Sequence, residues 1–265
     1  MNNNKALFFD IDGTLFDGQS KSVLPSTIKL LELLSQNKEY DLYLSTGRSL
    51  ETLGSMKNYL HYFDGLNLSN GQEIIIDNEY VYEGYIDKEE IKRLLVKSVE
   101  KNTPLGLITK EEIVINFTTD EGTKYFTTYI KPDVKILNDE PFDLERRVYQ
   151  VWLFANNELV EEYQKEFPNL DIIKWGSYGA DVIPINASKA NGIKIIQKLK
   201  DYPKENMYAF GDGDNDVKMF KVVGTSVAMG QGSEKAKAAA SFITDKIDEG
   251  GLYKAIIKLG LIKEE

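Results

Sequence analysis

Four short segments of this 265-residue chain carry side chains that could act together in catalysis. The first, FFDIDGTL at 8–15, places Asp10 and Asp12 two residues apart at the end of an apolar run. Carboxylates this close repel each other, and one of them takes up a proton unless a cation lies between them. Alternate residues of a strand share a face, so both side chains could address one ligand. The pair therefore indicates a site that also holds a positive partner.

The other three segments supply complementary chemistry. They read STGR at 45–48, SK at 188–189 and GDGDND at 211–216. Carboxylate oxygens are the ligands that Mg²⁺ prefers, whereas a lysine and the amides at a helix N-terminus suit a phosphoryl group. With a divalent cation bound, one carboxylate can act as a nucleophile. Together the segments indicate magnesium-assisted chemistry on a phosphate.

The elements that must position these segments alternate between strand and helix at both ends of the chain. Near the N-terminus, apolar periodicity predicts strands at 5–9 and 41–45 and helices at 26–36 and about 49–61. Near the C-terminus it predicts strands at 206–210 and 225–229 and helices at 188–200, after 211, at 233–240 and at 249–259. Such alternation is typical of an α/β fold with a parallel sheet. Ligands bind beyond the carboxyl ends of its strands, where all four segments would meet.

The middle of the chain has a different pattern. A hairpin turning at Asp77-Asn78 precedes a helix at 87–101, and the other predicted elements are strands at 105–109, 112–117, 148–154, 170–174 and 181–184, a helical or irregular stretch at 119–130 and a helix at 157–166. Adjacent strands imply antiparallel pairing and an α+β unit. We therefore expect residues 1–82 and 185–265 to form one discontinuous α/β domain, with residues 83–184 inserted as a second domain.

Composition excludes several kinds of site. The net charge of −10 argues against a surface for nucleic acid or anionic membrane. The chain has no cysteine and a single histidine, His61, which rules out thiol nucleophiles, cysteine zinc sites and multi-histidine metal sites. It lacks a long apolar run and a signal-peptide pattern. We expect a cytoplasmic protein, a monomer or a weak homodimer, without nucleic-acid or membrane partners.

In order and spacing, the four segments resemble the sequence motifs of the haloacid dehalogenase (HAD) superfamily. They are FFDIDGTL, LSTGR, SKANGI and the stretch from GDGDNDVKMF to VAMGQGSEKAKAAASFIT. The chain is most similar to the Cof-type phosphatases (subclass IIB). This resemblance implies a Rossmann-like parallel-sheet core with an inserted α+β cap of the C2 type. The sequence departs from the family pattern at Ser49, Ala190 and the pair Gln231-Gly232, none of them a side chain that does chemistry.

The resemblance also implies a role for each site residue. Asp10 matches the nucleophile that forms an aspartyl-phosphate, and Asp12 matches the general acid and base. The implied Mg²⁺ ligands are the Asp10 side chain, the Asp12 backbone carbonyl and Asp212, with Asp216 as a further acidic position acting directly or through water. The residues that match the phosphate-holding groups of the family are Thr46, the Gly47 amide, Lys189 and Asn215.

The function implied by the resemblance is hydrolysis of small phosphorylated metabolites, such as sugar phosphates, by a Mg²⁺-dependent phosphatase. A phosphomutase of the same superfamily and a non-catalytic sugar-phosphate-binding protein are the alternatives. Retention of both Asp10 and Asp12 argues against the binding protein. The sequence does not name the ester. The loop at 174–181 could reach a substrate through Trp175 or Tyr178, although ordinary packing is the favoured interpretation of both residues.

Overall fold

The computed structural model describes residues 3–125, 134–137, 140–175 and 177–263. Part of the stretch predicted as helical or irregular at 119–130 therefore lies outside the described residues. The chain forms two compact units. The first comprises Met1–Arg48, Leu53–Tyr82 and Ser188–Glu265, and the second comprises Ser49–Thr52 and Glu83–Ala187. Among the described residues, no helix is both long enough and apolar enough to cross a membrane.

The regular elements occur in the following order. The strands are β1 (Lys5–Phe9), β2 (Phe16–Asp17), β3 (Ser22–Val23), β4 (Tyr40–Ser45), β5 (Gly65–Leu68), β6 (Glu73–Ile76), β7 (Glu79–Glu83), β8 (Leu105–Thr109), β9 (Ile113–Ile115), β10 (Val134–Ile136), β11 (Val148–Asn156), β12 (Leu170–Lys174), β13 (Tyr178–Pro184), β14 (Met207–Gly211), β15 (Thr225–Ala228) and β16 (Phe242–Ile243). The helices are α1 (Pro25–Ser35), α2 (Lys88–Lys101), α3 (Asp120–Tyr125), α4 (Asn157–Glu166), α5 (Lys189–Lys200), α6 (Val217–Val222), α7 (Glu234–Ala239) and α8 (Gly251–Lys258).

The first unit is built on an eight-stranded sheet with the order β16-β15-β14-β1-β4-β5-β6-β7. The strands from β16 to β5 pair in parallel, whereas β5 and β6 pair antiparallel. The chain leaves β1 toward β4 on one side and later returns to β14 on the other. Strand order therefore reverses at β1, the position at which open α/β sheets form their ligand crevice.

Aromatic packing on both faces fixes β1 in the centre of this sheet. Phe8 stacks on Tyr43 of β4 with ring centroids 5.0 Å apart, and Phe9 stacks on Phe210 of β14 at 4.9 Å. Neither phenylalanine is exposed to solvent. Successive side chains of a strand point to opposite faces, so these contacts anchor β1 from both sides. The residues that follow Phe9 are thereby held at the carboxyl edge of the sheet.

The second unit contains a six-stranded sheet with the order β10-β9-β8-β11-β13-β12. Strands β8, β11, β13 and β12 pair antiparallel with their neighbours, and β9 and β10 pair in parallel. Helices α2 and α4 bury Leu94 and Tyr163 against one face of this sheet. The other face carries a separate apolar cluster that includes Trp152 and Phe154. One helical layer on a mostly antiparallel sheet is an α+β arrangement.

The predicted fold class, an α/β unit with a separate α+β unit, is confirmed. The turn at Asp77-Asn78 is also confirmed, because both residues have positive φ, as a tight hairpin requires. The prediction of a regular helix at 49–61 is wrong in detail. Residues Glu51–Tyr62 form a 3₁₀ segment interrupted at Gly54, whose φ of 57° is not helical. The sequence interpretation also missed β5 and the short β2–β3 hairpin.

One carboxyl group in the sheet of the second unit has a raised pKa. Asp181 of β13 lies opposite Trp152 of β11 and accepts a hydrogen bond of 2.6 Å from Gln150 Nε2. Burial raises the pKa of Asp181 to about 7, and hydrogen bonds from Trp175 and Gln150 only partly oppose this shift. The folded protein therefore retains a proton at Asp181 over a pH range in which the unfolded chain has lost it.

This proton predicts a pH dependence of stability. The pKa of Asp181 is raised on folding, so this residue adds most to the free energy of unfolding below about pH 4. That contribution is lost as the pH rises toward about 7. The loss is at most about 1.4 kcal/mol per pH unit. Asp181→Asn removes this titration. Urea unfolding of both proteins from pH 5 to 8 should show the variant gaining stability relative to wild type as the pH rises. A constant difference across that range would contradict the assignment.

Candidate active site

Asp10 is the first residue beyond β1 and lies almost completely buried. Its backbone N–H donates to the Phe210 carbonyl over 2.9 Å, which continues the pairing of β1 with β14 past the end of the strand. Only 5% of the residue is exposed. A carboxylate in such surroundings needs a charged partner, since removing an unpaired charge from water is unfavourable.

Lys189 provides that partner. It is the first residue of α5, a helix that Ser188 caps by accepting a hydrogen bond of 3.1 Å from the Asn191 amide. The Lys189 ammonium is fully buried and lies 2.5 Å from Asp10 Oδ1 and 2.6 Å from Asp216 Oδ1. Burial alone would lower the pKa of Lys189, but the charges and hydrogen bonds of Asp10 and Asp216 outweigh it and raise the pKa. The lysine therefore stays charged.

Asp216 also organises the loop that follows β14. Its Oδ2 accepts hydrogen bonds of 2.9 Å from the backbone amides of Asp212 and Gly213, while its Oδ1 accepts from Lys189. Both oxygens are engaged, so Asp216 orients the lysine and the loop. The loop brings Asp212 against Gly13, where an added Cβ would lie 2.1 Å from Asp212 Oδ2. Gly13 has φ of 81° and leaves the space that this carboxylate occupies.

The carboxylates of the site lie close enough together to bind one hard cation. Asp10, Asp212 and Asp216 can each offer one carboxylate oxygen such that all three atoms lie within 4.8 Å of one another. Opposite ligands of an octahedral Mg²⁺ are about 4.2 Å apart. Burial, followed by the charge of Asp216, raises the pKa of Asp212 to about 7. Burial and the nearby carboxylates raise the pKa of Asp10 as well, against the effect of Lys189. A divalent cation would relieve this repulsion.

Asp12 occupies a different environment from Asp10, although only Ile11 separates them. Its carboxylate is 58% exposed and forms a bidentate ion pair with Arg48. Arg48 Nε donates to Asp12 Oδ2 over 2.9 Å, and its Nη2 donates to Oδ1. The Arg48 guanidinium also lies 5.5 Å from the centre of the Phe16 ring. Asp10 therefore lies in a buried ion cluster, whereas Asp12 lies at the solvent-accessible edge of the site.

The remaining predicted site residues lie on loops at the same edge of the sheet. Thr46 directly follows β4, is buried, and accepts a hydrogen bond of 3.1 Å from the Arg48 amide at its hydroxyl oxygen. Gly47 lies against the side-chain amide of Asn70, 3.1 Å from the position of an added Cβ. Asn215 belongs to the loop that Asp216 holds, beside Gly213. Among the residues that the structure describes, the Thr46 hydroxyl donates no hydrogen bond, so its proton could be donated to an anionic ligand.

Three residues at this edge had no assigned role in the sequence interpretation. Arg48 was part of the STGR segment but was not paired with Asp12. Gln231 donates from Nε2 to the Gly13 carbonyl over 2.5 Å and accepts from the Ile247 amide at 3.0 Å, which ties down the turn after Asp12. Asn67 binds the Lys189 carbonyl at 2.9 Å. A polar residue inside the apolar strand GLNL was the one sequence signal for Asn67.

Comparison with known proteins identifies relatives over nearly the whole chain. A family model described as haloacid dehalogenase-like hydrolase matches residues 7–256. The Bacillus subtilis (strain 168) protein "Putative phosphatase YkrA" is 32% identical over 267 residues, covering 98% of this chain and 99% of that protein.

Similar solved structures include two proteins that are 30% identical to this chain. A hypothetical protein from Geobacillus kaustophilus HTA426 is 30% identical, with a TM-score of 0.88 over 98% of this chain and 100% of that one. The HAD subclass IIB sugar phosphatase BT4131 is also 30% identical, with a TM-score of 0.85 over 98% of this chain and 100% of that one. The family, the fold class and the enzyme class, a phosphatase, that were predicted from the sequence motifs are confirmed by these matches.

The buried ion cluster predicts a specific stability effect. Lys189→Met leaves Asp10 and Asp216 without their shared cation, and breaking a buried pair in this way destabilises a protein by about 3–5 kcal/mol. Urea unfolding at neutral pH should show this loss, and added Mg²⁺ should recover more of it in the variant than it adds to wild type.

A lysine of the second unit provides the matched control. Lys97 is 7% exposed and pairs with Glu162 and Glu166, whose side chains are 41% and 42% exposed. Water can solvate these glutamates, so Lys97→Met should lose less stability and should not respond to Mg²⁺. If both variants lost the same free energy of unfolding, burial of the Asp10–Lys189–Asp216 cluster would not make its charge pairing more important than that of Lys97.

Proposed function

Because the chain belongs to the haloacid dehalogenase-like hydrolases, we propose that it is a Mg²⁺-dependent phosphatase that hydrolyses small phosphorylated metabolites through a phosphorylated Asp10. The observation that carries this proposal is the buried Asp10 carboxylate held by Lys189 at the N-terminus of α5. A fixed nucleophile beside a fixed cation is what phosphoryl transfer requires, because catalysis of this reaction rests on positioning and on stabilising charge.

In the proposed mechanism Asp10 carries the phosphoryl group and Asp12 transfers the protons. One carboxylate oxygen of Asp10 attacks phosphorus, and the bond from phosphorus to the ester oxygen breaks as Asp12 gives that oxygen a proton. In the second half, Asp12 takes a proton from water, the water oxygen attacks phosphorus, and the Asp10–phosphorus bond breaks to release phosphate and the free carboxylate. The exposed position of Asp12 supports this assignment, since an accessible acid can exchange its proton with solvent.

The proposed metal ligands are Asp10, Asp212 and the backbone carbonyl of Asp12. Mg²⁺ bound there would offset the repulsion between the carboxylates and the phosphate dianion. Asp216 orients Lys189 and the loop, since both of its oxygens accept hydrogen bonds from the protein. Asp216 would therefore interact with the metal only through a bound water molecule.

The phosphate oxygens are proposed to bind to Thr46, the Gly47 amide, Lys189 and Asn215. Thr46 and Gly47 directly follow β4, which pairs with β1, and Lys189 is the first residue of α5, so regular elements hold these donors in place. Lys189 adds its charge to the partial positive charge of the helix N-terminus. Both would stabilise the negative charge that builds up on the transferred phosphoryl oxygens.

We propose that the substrates are small and that residues 83–184 form the cap that excludes water and bulky esters. Two observations support a small metabolite. The matched protein BT4131 is described as a sugar phosphatase. The acidic balance of the chain, with a net charge of −10, disfavours phosphorylated nucleic acids as substrates.

The proposal predicts Mg²⁺-dependent hydrolysis of p-nitrophenyl phosphate. Asp10→Asn should abolish it, because a carboxamide is a poor nucleophile, and EDTA should abolish it in wild type. Asp64→Asn is the matched control: Asp64 lies at the amino end of β5 and accepts from the Leu42 amide at 2.8 Å, which an asparagine oxygen can also do. Full activity of Asp10→Asn would refute the nucleophile assignment, and activity in excess EDTA would refute the metal.

A further inference from the structure

A turn of unusual backbone conformation lies beside the candidate active site. Three consecutive residues, Ser69, Asn70 and Gly71, have positive φ values of 49°, 54° and 89°. The first two are not glycine, and they are 0% and 3% exposed. Non-glycine residues adopt such values rarely, and where they do the strain tends to cluster at functional sites. This turn is therefore a candidate for a functional role.

The turn closes on the segment that carries Thr46. The Asn70 amide donates to the Thr46 carbonyl over 3.1 Å, and the Ser69 amide donates to the Arg48 carbonyl over 2.9 Å. In the same region, the Thr46 amide donates to the Asn67 carbonyl over 2.9 Å. The loop after β4 is thus held by backbone hydrogen bonds on both sides of Thr46.

Asn67, two residues before this turn, joins the last residue of β4 to the start of α5. Its side-chain Nδ2 donates to Ser45 Oγ over 2.8 Å and to the Lys189 carbonyl over 2.9 Å. A carbonyl oxygen can only accept, so the nitrogen must face Lys189 and the orientation of the amide is fixed. Asn67 is completely buried and lies against Gly192, where an added Cβ would be 2.0 Å from Asn67 Oδ1.

Within the part of the chain that the structure describes, the Asn67 side chain is hydrogen-bonded through its nitrogen only. Its Oδ1 is buried and has no hydrogen-bond partner among the described residues, which is unfavourable for folding. Asn116 of the second unit is a contrasting case. Its Oδ1 accepts from the amides of Leu105 and Phe117, and its Nδ2 donates to Ser98 Oγ over 2.7 Å. Asn116 is satisfied at both ends within the second unit, whereas the Asn67 side chain directs both of its hydrogen bonds to the segments that carry Thr46 and Lys189.

We infer that Asn67 is a positioning residue that sets the distance between Lys189 and the loop of Thr46, and that the strained turn at Ser69–Gly71 holds Asn67 in place. The inference rests on the proposed function. Asn67 is not one of the groups proposed to bind the phosphate or the metal, and its side chain hydrogen-bonds to Ser45 and to the Lys189 carbonyl. It acts through the backbone carbonyl of Lys189, the residue whose side-chain ammonium lies between Asp10 and Asp216.

Asn67→Ala tests the inference through kinetics and structure together. We expect kcat for p-nitrophenyl phosphate to fall about 10²-fold with a much smaller change in KM, because a displacement of about 1 Å in a catalytic group has an effect of this size. A crystal structure of the variant should show Lys189 Nζ moved by a comparable distance from Asp10 Oδ1.

Asn116→Ala is the matched control, since it also removes a buried asparagine from a hydrogen-bond network. It should lose stability without the selective fall in kcat. If Asn67→Ala does not fold, Asn67→Ser undergoes the same two measurements, because a serine hydroxyl is too short to reach both acceptors.

The two readouts separate the inference from the proposed function. Wild-type kcat in the Asn67 variant, or an unmoved Lys189 in its crystal structure, overturns the positioning role. Wild-type protein that hydrolyses no phosphate ester overturns the proposed function, and the position of Lys189 in the variant still decides the structural inference.

Discussion

The structure around the site depends on a lysine that is buried in the charged state. Lys189 has no exposed surface, and its charge is tolerated only because Asp10 and Asp216 lie within hydrogen-bond distance. Such a cluster requires fixed geometry, which the phenylalanine stacking on β1, the capped start of α5 and the loop held by Asp216 provide. Three separate parts of the chain therefore converge on one ammonium group.

The same constraint gives different properties to two acids that are almost adjacent in the sequence. Asp10 is buried and pairs with the buried Lys189, whereas Asp12 is solvent-exposed and pairs with the partly exposed Arg48. Pairs of carboxyls whose environments differ in this way are typical of sites where one group attacks and the other transfers protons. The bidentate pair with Arg48 orients the Asp12 carboxylate, and the proton transfer proposed for Asp12 requires this pair to open.

The sequence was sufficient for the parts of the site that depend on local pattern. Asp10 follows an apolar strand, Lys189 follows a helix-capping serine, and the GDGDND loop follows another strand, so their meeting at one sheet edge could be expected from parallel topology. The family resemblance added a role for each residue, and it is the roles that experiments have to test.

The parts that the sequence did not predict depend on tertiary contacts. Nothing in the local sequence indicates that Arg48 turns toward Asp12 or that Asn67 reaches Lys189, which is 122 positions away. The interruption at Gly54 was missed because the residues around it keep a helical spacing of apolar side chains, including Leu53 and Met56. Strand β5 was missed because four residues are too few for periodicity to establish.

The central claim is that the phosphoryl group passes through Asp10, and chemical trapping tests it most directly. Asp12→Asn should slow breakdown of the intermediate, because the base that activates water is gone. The variant would be mixed with p-nitrophenyl phosphate and Mg²⁺, quenched in acid and reduced with borohydride, which converts an acyl phosphate of aspartate to homoserine. Peptide mass spectrometry should then find homoserine at position 10 and at no other aspartate. Hydrolysis by wild type with no homoserine at position 10 in the variant would contradict the account.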